Sequence, residues 1–321
     1  MKDKRFQLAA LAAALVGVVV VVADGEEKVQ YSLKLEKGNK YYIQMITEQQ
    51  ISQTVMGQEQ NVERTMGMGI NFDVNDVNES GSALVRYTYT WVKLGLKGPM
   101  GEAVYDSSQK DAPVPPMAQS FAGLVGEGFS VKLTRQGKVE QVRDLDKMRD
   151  NILKKMSEGP MREAMMKNLE QFVSEKAIRE SGESSMALYP DRPVGVGDSW
   201  NKTIVLSVGF PMIMENKWTL KEHKEGVATI ELDSTIKPDP NAKPMEMGQM
   251  KMSYELSGRQ QGLIRMREST GQLINSKMEQ QLSGQVRAQS AGLQPQEMVV
   301  PMKIKGVVTM EMTERKEGQN R

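Results

Sequence analysis

Two stretches of this chain alternate apolar and polar residues with a period of two, and that pattern constrains the fold more than any other feature. In the first, Tyr41, Ile43 and Met45 share one parity; further on, Val85, Tyr87, Tyr89 and Trp91 share one, with Arg86, Thr88 and Thr90 on the other. In the second, Ile204, Leu206, Val208 and Phe210 alternate with Thr203, Val205 and Ser207, and Ala228, Ile230 and Leu232 with Thr229, Glu231 and Asp233. Alternation of this kind sets one side of a strand against a core and the other in water, as in an antiparallel sheet. The strand zones run from Val29 to Leu94 and from Trp200 to Thr313. Lys97 to Pro116, rich in Gly and Pro, reads as a loop, a lid or a crossover.

Between the zones the period changes. Leu145, Met148, Ile152 and Met156 recur at helical steps, Gly159-Pro160 interrupts, and Met161, Met165, Leu169, Phe172 and Val173 resume. Pro160 suits the first turn of the second helix. A strand–turn–strand signature also occurs twice, from Gly128 with Gly137 and from Gly262 with Gly271. It fits either two related β halves or two ordinary hairpins with common turn chemistry. The expected fold is mainly β (α+β): a curved antiparallel sheet or half-barrel built from two similar halves, with an inserted amphipathic helix pair. The expected divisions are a signal peptide at 1–23, a first β half at 24–143, a helical insertion at 144–186, a second β half at 187–313 and a disordered tail at 314–321.

Lys2, Lys4 and Arg5 precede an apolar run from Leu8 to Val22, and Val21-Val22-Ala23 precedes Asp24. That is the layout of a secretory signal peptide, with cleavage expected after Ala23; an uncleaved membrane anchor is the alternative. Cleavage removes three positive charges and Asp3, taking the formal net charge from +1 to −1. The chain has no Cys, which excludes a lipid-bearing cysteine, thiol chemistry, disulfides and cysteine metal sites. Its single His leaves no two-histidine metal site, and its near-neutral charge leaves no basic footprint for nucleic acid. The mature chain is expected in the periplasm or outside the cell, with no further membrane span, held by its core alone.

No acid, base and nucleophile set can be assembled locally, so the expected function is non-catalytic, with no cofactor. His223 stands in a charged strand end and reads as a solvated turn residue; Asp106-Ser107-Ser108 reads as a capped loop, and Gly195-Val196-Gly197 as the turn leading into the Trp200 strand. Methionine, at 25 residues, is the unusual component. Met66-x-Met68, Met212-x-Met214 and Met310-x-Met312 place thioethers at strand spacing. Two uses follow. Met residues fill adaptable apolar surfaces, so an apolar ligand, an acyl chain or a lipidated peptide, is expected between the sheet and the helix face of Leu145, Met148, Ile152, Met156, Met161, Met165, Leu169 and Phe172. Alternatively, thioethers select Cu(I), and Met245, Met247, Met250 and Met252 form the one run suited to it. A ligand-free envelope scaffold is the third reading.

At Tyr105-Asp106-Ser107-Ser108, at the hairpin opening at Gly128, and above all at Pro193-Val194-Gly195-Val196-Gly197-Asp198-Ser199-Trp200, the chain resembles an uncharacterised family of bacterial exported proteins, a domain of unknown function. The resemblance runs from about Tyr31 to Thr313 and implies no particular activity or site. In layout alone, two β-rich halves with helices between them are similar to the half-barrel carriers of lipoproteins and lipids in bacterial envelopes.

Overall fold

The computed structural model describes residues 28–315 apart from 100, 110, 112, 156–158, 160–161, 163–165, 167–168, 170–172, 208–210, 248–249 and 291–296. The expected signal segment therefore lies outside the described residues. The alternating zones form one antiparallel sheet of β1 (Lys40–Val55), β2 (Gln58–Val77), β3 (Ala83–Gly98), β4 (Gly101–Asp106), β5 (Gly128–Leu133), β6 (Val139–Arg143), β7 (Ser199–Leu206), β8 (Met212–Lys224), β9 (Val227–Pro238), β10 (Met245–Met247), β11 (Met250–Arg267), β12 (Leu273–Ser290) and β13 (Glu297–Glu314). Tight turns at Met56-Gly57 and Glu225-Gly226, each with two positive φ values, join β1 to β2 and β8 to β9. Such turns match the right-handed twist of the strands they connect.

The spatial order is β6-β5-β3-β2-β1-β13-β12-β11-β9-β8-β7, with β4 beside β3 and β10 beside β11. Read from the other edge, the order is a meander from β7 to β13 that continues into β1 and ends at β6. The first and the last strand meet in the middle of the sheet, where Tyr41 of β1 pairs with Glu314 of β13. The result is a curved half-barrel, mainly β and not closed by strand pairing. The segment between β6 and β7, which carries the expected helices, joins the two outer edges of the sheet.

Helix α1 (Gln119–Leu124) lies on β3, α2 (Leu145–Lys154) on β5, and α3 (Glu175–Met186) against both β6 and β7. Ser174 caps α3 by accepting a 3.1 Å hydrogen bond from the Ala177 N–H. Met148 and Ile152 of α2 are fully buried against Val85, Phe129 and Val131, each such burial stabilising by about 1.5–3 kcal/mol. Leu169 joins the same cluster. The two expected helices thus become α2, a stretch mostly outside the described residues, and α3, which starts beyond the last apolar repeat.

Several expectations change. Residues 29–39 form no long strand: Val29 makes one bridge with Val194, and the segment crosses the upper end of the sheet, burying Tyr31 and Leu33. It lies tight on the β11–β12 turn, where a Cβ on Gly271 (φ +66°) would come 2.2 Å from the Ser32 carbonyl oxygen. The expected loop after Lys97 contains β4, whose Tyr105 is buried with Val92 and Leu94, because Gly98 and Gly101 close a hairpin. Trp91 does not share a face with Tyr89. A bulge at Gly69/Ile70 shifts the register, so Trp91 crosses Gly67 on the outer face while Val92 and Leu94 turn inward. The tail is not free at 314–315: Glu314 is paired, and the Arg315 N–H donates to the Lys40 carbonyl at 2.8 Å.

Candidate functional site

The outer face of the sheet carries charge. Lys237 pairs with Glu215, Lys221 with Glu231 and Arg287 with Glu255 across neighbouring strands. Cross-strand ion pairs belong on a face in water, the reverse of the apolar outward band of a transmembrane barrel. Among the described residues no helix is long and apolar enough to cross a membrane.

The inner face is apolar and rich in methionine. In register, Met310 of β13, Met45 of β1 and Met68 of β2 stand side by side, with Met312, Ile43 and Ile70 forming the row above. Buried clusters lie to either side. One gathers Trp200, Trp218, Ile230 and Met266; another gathers Tyr41, Phe72, Val85 and Phe129 under α2. Met45 and Met310 belong to neither and are half-buried. At the centre of the inner face, Met45 and Met310 are thus apolar, inward by register and only partly buried.

Helix α3 closes the gap between the sheet's edges by supplying hydrogen bonds that a missing strand would supply. Arg179 donates to the carbonyls of Val139 and, at 3.2 Å, Glu140 on the β6 edge. On the other side Glu180 accepts from the Ser207 N–H at 2.9 Å and from the Ser207 hydroxyl, just past β7. Between α3 and the sheet is a slot of about 270 Å³ lined by Tyr87, Phe129, Leu133, Ile178 and Met186, near the lower end of the roughly 300–1,000 Å³ of small-molecule pockets. Burial pushes the pKa of Tyr87 and Tyr89 up, so both phenols stay neutral there.

Part of the expected site is here. Met148, Ile152 and Leu169 are buried in the cluster beside the slot and Leu145 packs on it; they fill core and do not line the slot. Met156, Met161, Met165 and Phe172 lie outside the described residues. The slot's helix is α3, which carried no apolar repeat strong enough to mark it. The four methionines of the Cu(I) reading sit at the opposite, lower end, where the ladder pairs Met245 with Met252 and Met247 with Met250. Met245 is buried, and the Met252 sulfur accepts a 3.8 Å contact from the Tyr254 hydroxyl.

The other singled-out residues have local partners. His223 is not simply solvated, for its Nε2 meets the Glu268 carboxylate. The Asp106 carboxylate accepts from the Ser108 N–H at 3.0 Å and the Trp91 indole at 2.9 Å; burial alone would raise its pKa, and these bonds hold it below the usual range. Asp198 accepts from the Gly195 N–H at 3.1 Å, which fixes the turn before Trp200.

A polar row crosses this inner face, and nothing in the local sequence announced it. Arg64 of β2 stands beside Gln49 of β1, followed by Gly306 of β13. Gln280 of β12 and Gln260 of β11 continue it; Ser234, Asn216 and Lys202 complete it through β9, β8 and β7. The neighbouring inward rows are mostly apolar: Met66, Val308, Met278 and Leu232 above, with Thr47 among them, and Ile51, Ile304, Leu282 and Ile236 below.

An open antiparallel meander with a charged outside, a methionine-lined inside and a helix across its seam is the class of protein these features define. Residues 80–273 match a Family of unknown function (DUF6263), and the chain belongs to that family. No curated protein matches. Two solved structures are similar at low identity. A lipovitellin chain, titled for its lipid–protein interactions, is 9% identical with a TM-score of 0.44, over 89% of this chain and 26% of that one. An outer membrane channel from Pseudomonas putida F1 is 8% identical with a TM-score of 0.20, over 91% of this chain and 98% of that one. This chain spans about a quarter of the lipovitellin chain, and neither likeness is close enough to carry an argument about function.

Proposed function

We propose that this is an exported, non-catalytic binding protein that holds an apolar ligand, an acyl chain or a lipidated peptide, on the inner face of its half-barrel. The observation that carries the reading is the half-buried, inward-facing pair Met45 and Met310, left between two well-packed clusters. Apolar surface that faces inward yet keeps contact with water is stabilised by an apolar guest, and methionine adapts to guests of different shape. Export is part of the proposal and rests on the basic and apolar layout of residues 1–23. The Cu(I) reading is supported only by the two methionine pairs of β10 and β11. It is the weaker one, because Met245 is buried and Met252 already has a phenol partner.

Titration with a fluorescent fatty acid tests the proposal. Saturable binding is expected, and Met310→Lys, which puts a charge at the centre of the face, should weaken it about tenfold or more, the scale of an uncompensated charge in an apolar site. Absence of saturable binding to the unmodified protein, together with no lipid in an organic extract of natively purified material, overturns it.

A further inference from the structure

The polar row lies in a face that is otherwise mostly apolar. A polar side chain in such a position costs free energy unless it is bonded, so seven of them in one row, interrupted at Gly306 alone, are not what packing alone selects. Some partners are internal. The Arg64 Nε donates to the Gln49 side-chain oxygen at 2.9 Å, Gln280 donates to Gln260 at 3.4 Å, and Ser234 donates to Asn216.

What is left over is donors and positive charge. The Nδ2 of Asn216, in a residue only 4% exposed, has no hydrogen-bond partner among the described residues. Arg64 is bonded to a neutral amide, and burial pushes its pKa down. The acid beside it in sequence does not compensate it: Glu63 has the opposite parity, faces outward and pairs with Lys97. Among the described residues Arg64 has no ion pair, and a half-buried cation without a counter-charge is a standing cost that an incoming anion removes. Above the row, Gln49 is eight residues from Tyr41 along β1, about 27 Å at roughly 3.4 Å per residue. Thr47, Met45 and Ile43 occupy that interval on β1 beside Met68 and Met310, long enough for an extended chain.

We propose that the row is a head-group site: Arg64, with Gln49, takes the anionic group of an amphiphile whose chain lies over Met45, Met68 and Met310. This deepens the apolar-ligand reading and rests on it. The shared chemistry is a carboxylate or phosphate attached to a long chain.

Three probes with the same chain separate the cases: palmitate, methyl palmitate and a palmitoyl lysophosphatidic acid. Each is titrated against the unmodified protein, Arg64→Met, Arg64→Lys and Gln49→Glu. The expected result is that one or both anions bind more tightly than the ester, the tighter naming the head group. Arg64→Met should cost that anion about tenfold or more, the size of one charged hydrogen bond, and leave the ester unchanged; Arg64→Lys should restore part of the loss. Gln49→Glu adds an internal counter-charge, so it should weaken anion binding while the unfolding midpoint holds or rises. Equal binding of ester and anions, or equal losses for both in the variants, overturns the head-group site and leaves the apolar reading standing. Binding of none of the three overturns both.

Discussion

Tyr31 lies in the segment that crosses the upper end of the sheet, 1% exposed, and its hydroxyl has no hydrogen-bond partner among the described residues. Burial, and after it the Glu268 carboxylate, push its pKa up to about 12. The sign of the consequence is fixed. An unfolded tyrosine ionises near 10, so Tyr31 contributes its full share to stability below about pH 10, and that share is lost as the pH rises through about 12. Tyr31→Phe removes an unsatisfied buried hydroxyl and keeps the ring. It should raise the unfolding free energy by about 1 kcal/mol near neutral pH and shrink the alkaline loss between pH 10 and 12. Urea unfolding at pH 7.5 and 11 measures both, and a destabilised variant would show that the hydroxyl has a partner. Residues also mark the limit of what sequence reveals. The parity of Trp91 was legible as far as Tyr89, and then one bulged residue inverted it, because a bulge is set by the partner strand and leaves no mark in the strand it flips.

At the scale of elements, the strands were legible from their alternation and the helices from theirs. Two elements were not. β4 is short, and its flanking Gly and Pro residues describe the turn that makes it a hairpin as well as they describe a loop. Helix α3 has no buried residue; Ile178 packs part-buried on the neighbouring core, and Arg179 and Glu180 bond to opposite edges of the sheet. Polar docking of this kind carries no apolar period for a reader to find. It does carry an energetic signature. Arg179→Met and Glu180→Leu each remove charged hydrogen bonds to backbone groups and should cost about 1–2 kcal/mol in unfolding free energy. Either break frees the same helix, so the double variant should cost less than the sum of the two. Loss of amide-exchange protection across 175–186 in each single variant is the accompanying readout. Strict additivity, with protection retained, would mean that α3 is held by something other than these two side chains.

At the scale of the molecule, the sheet and its curvature were legible in outline, whereas strand order and the polar row were not. Both depend on which strands become neighbours. The row takes one residue from each of eight strands, and no two of its members are close in sequence beyond their hairpins. Order decides cooperativity too. The two β stretches, read from sequence as halves of one curved sheet, are joined by an unbroken β1–β13 ladder from Tyr41–Glu314 to Gln53–Met302, so neither half can melt without exposing the other's edge. The tryptophans report on each side: Trp91 on β3, and the stacked pair Trp200 and Trp218 on β7 and β8. In a variant keeping only Trp91, and in one keeping only Trp200 and Trp218, the denaturant midpoint by fluorescence should coincide with the circular-dichroism midpoint of the same variant, as all-or-none unfolding requires. A fluorescence midpoint for Trp91 separated from the circular-dichroism midpoint of the same variant would divide the sheet into two units. In that case the methionine surface at its centre would be an interface between domains, and ligand occupancy would shift one transition relative to the other, because a guest bound across the ladder stabilises only the state in which both sides are folded.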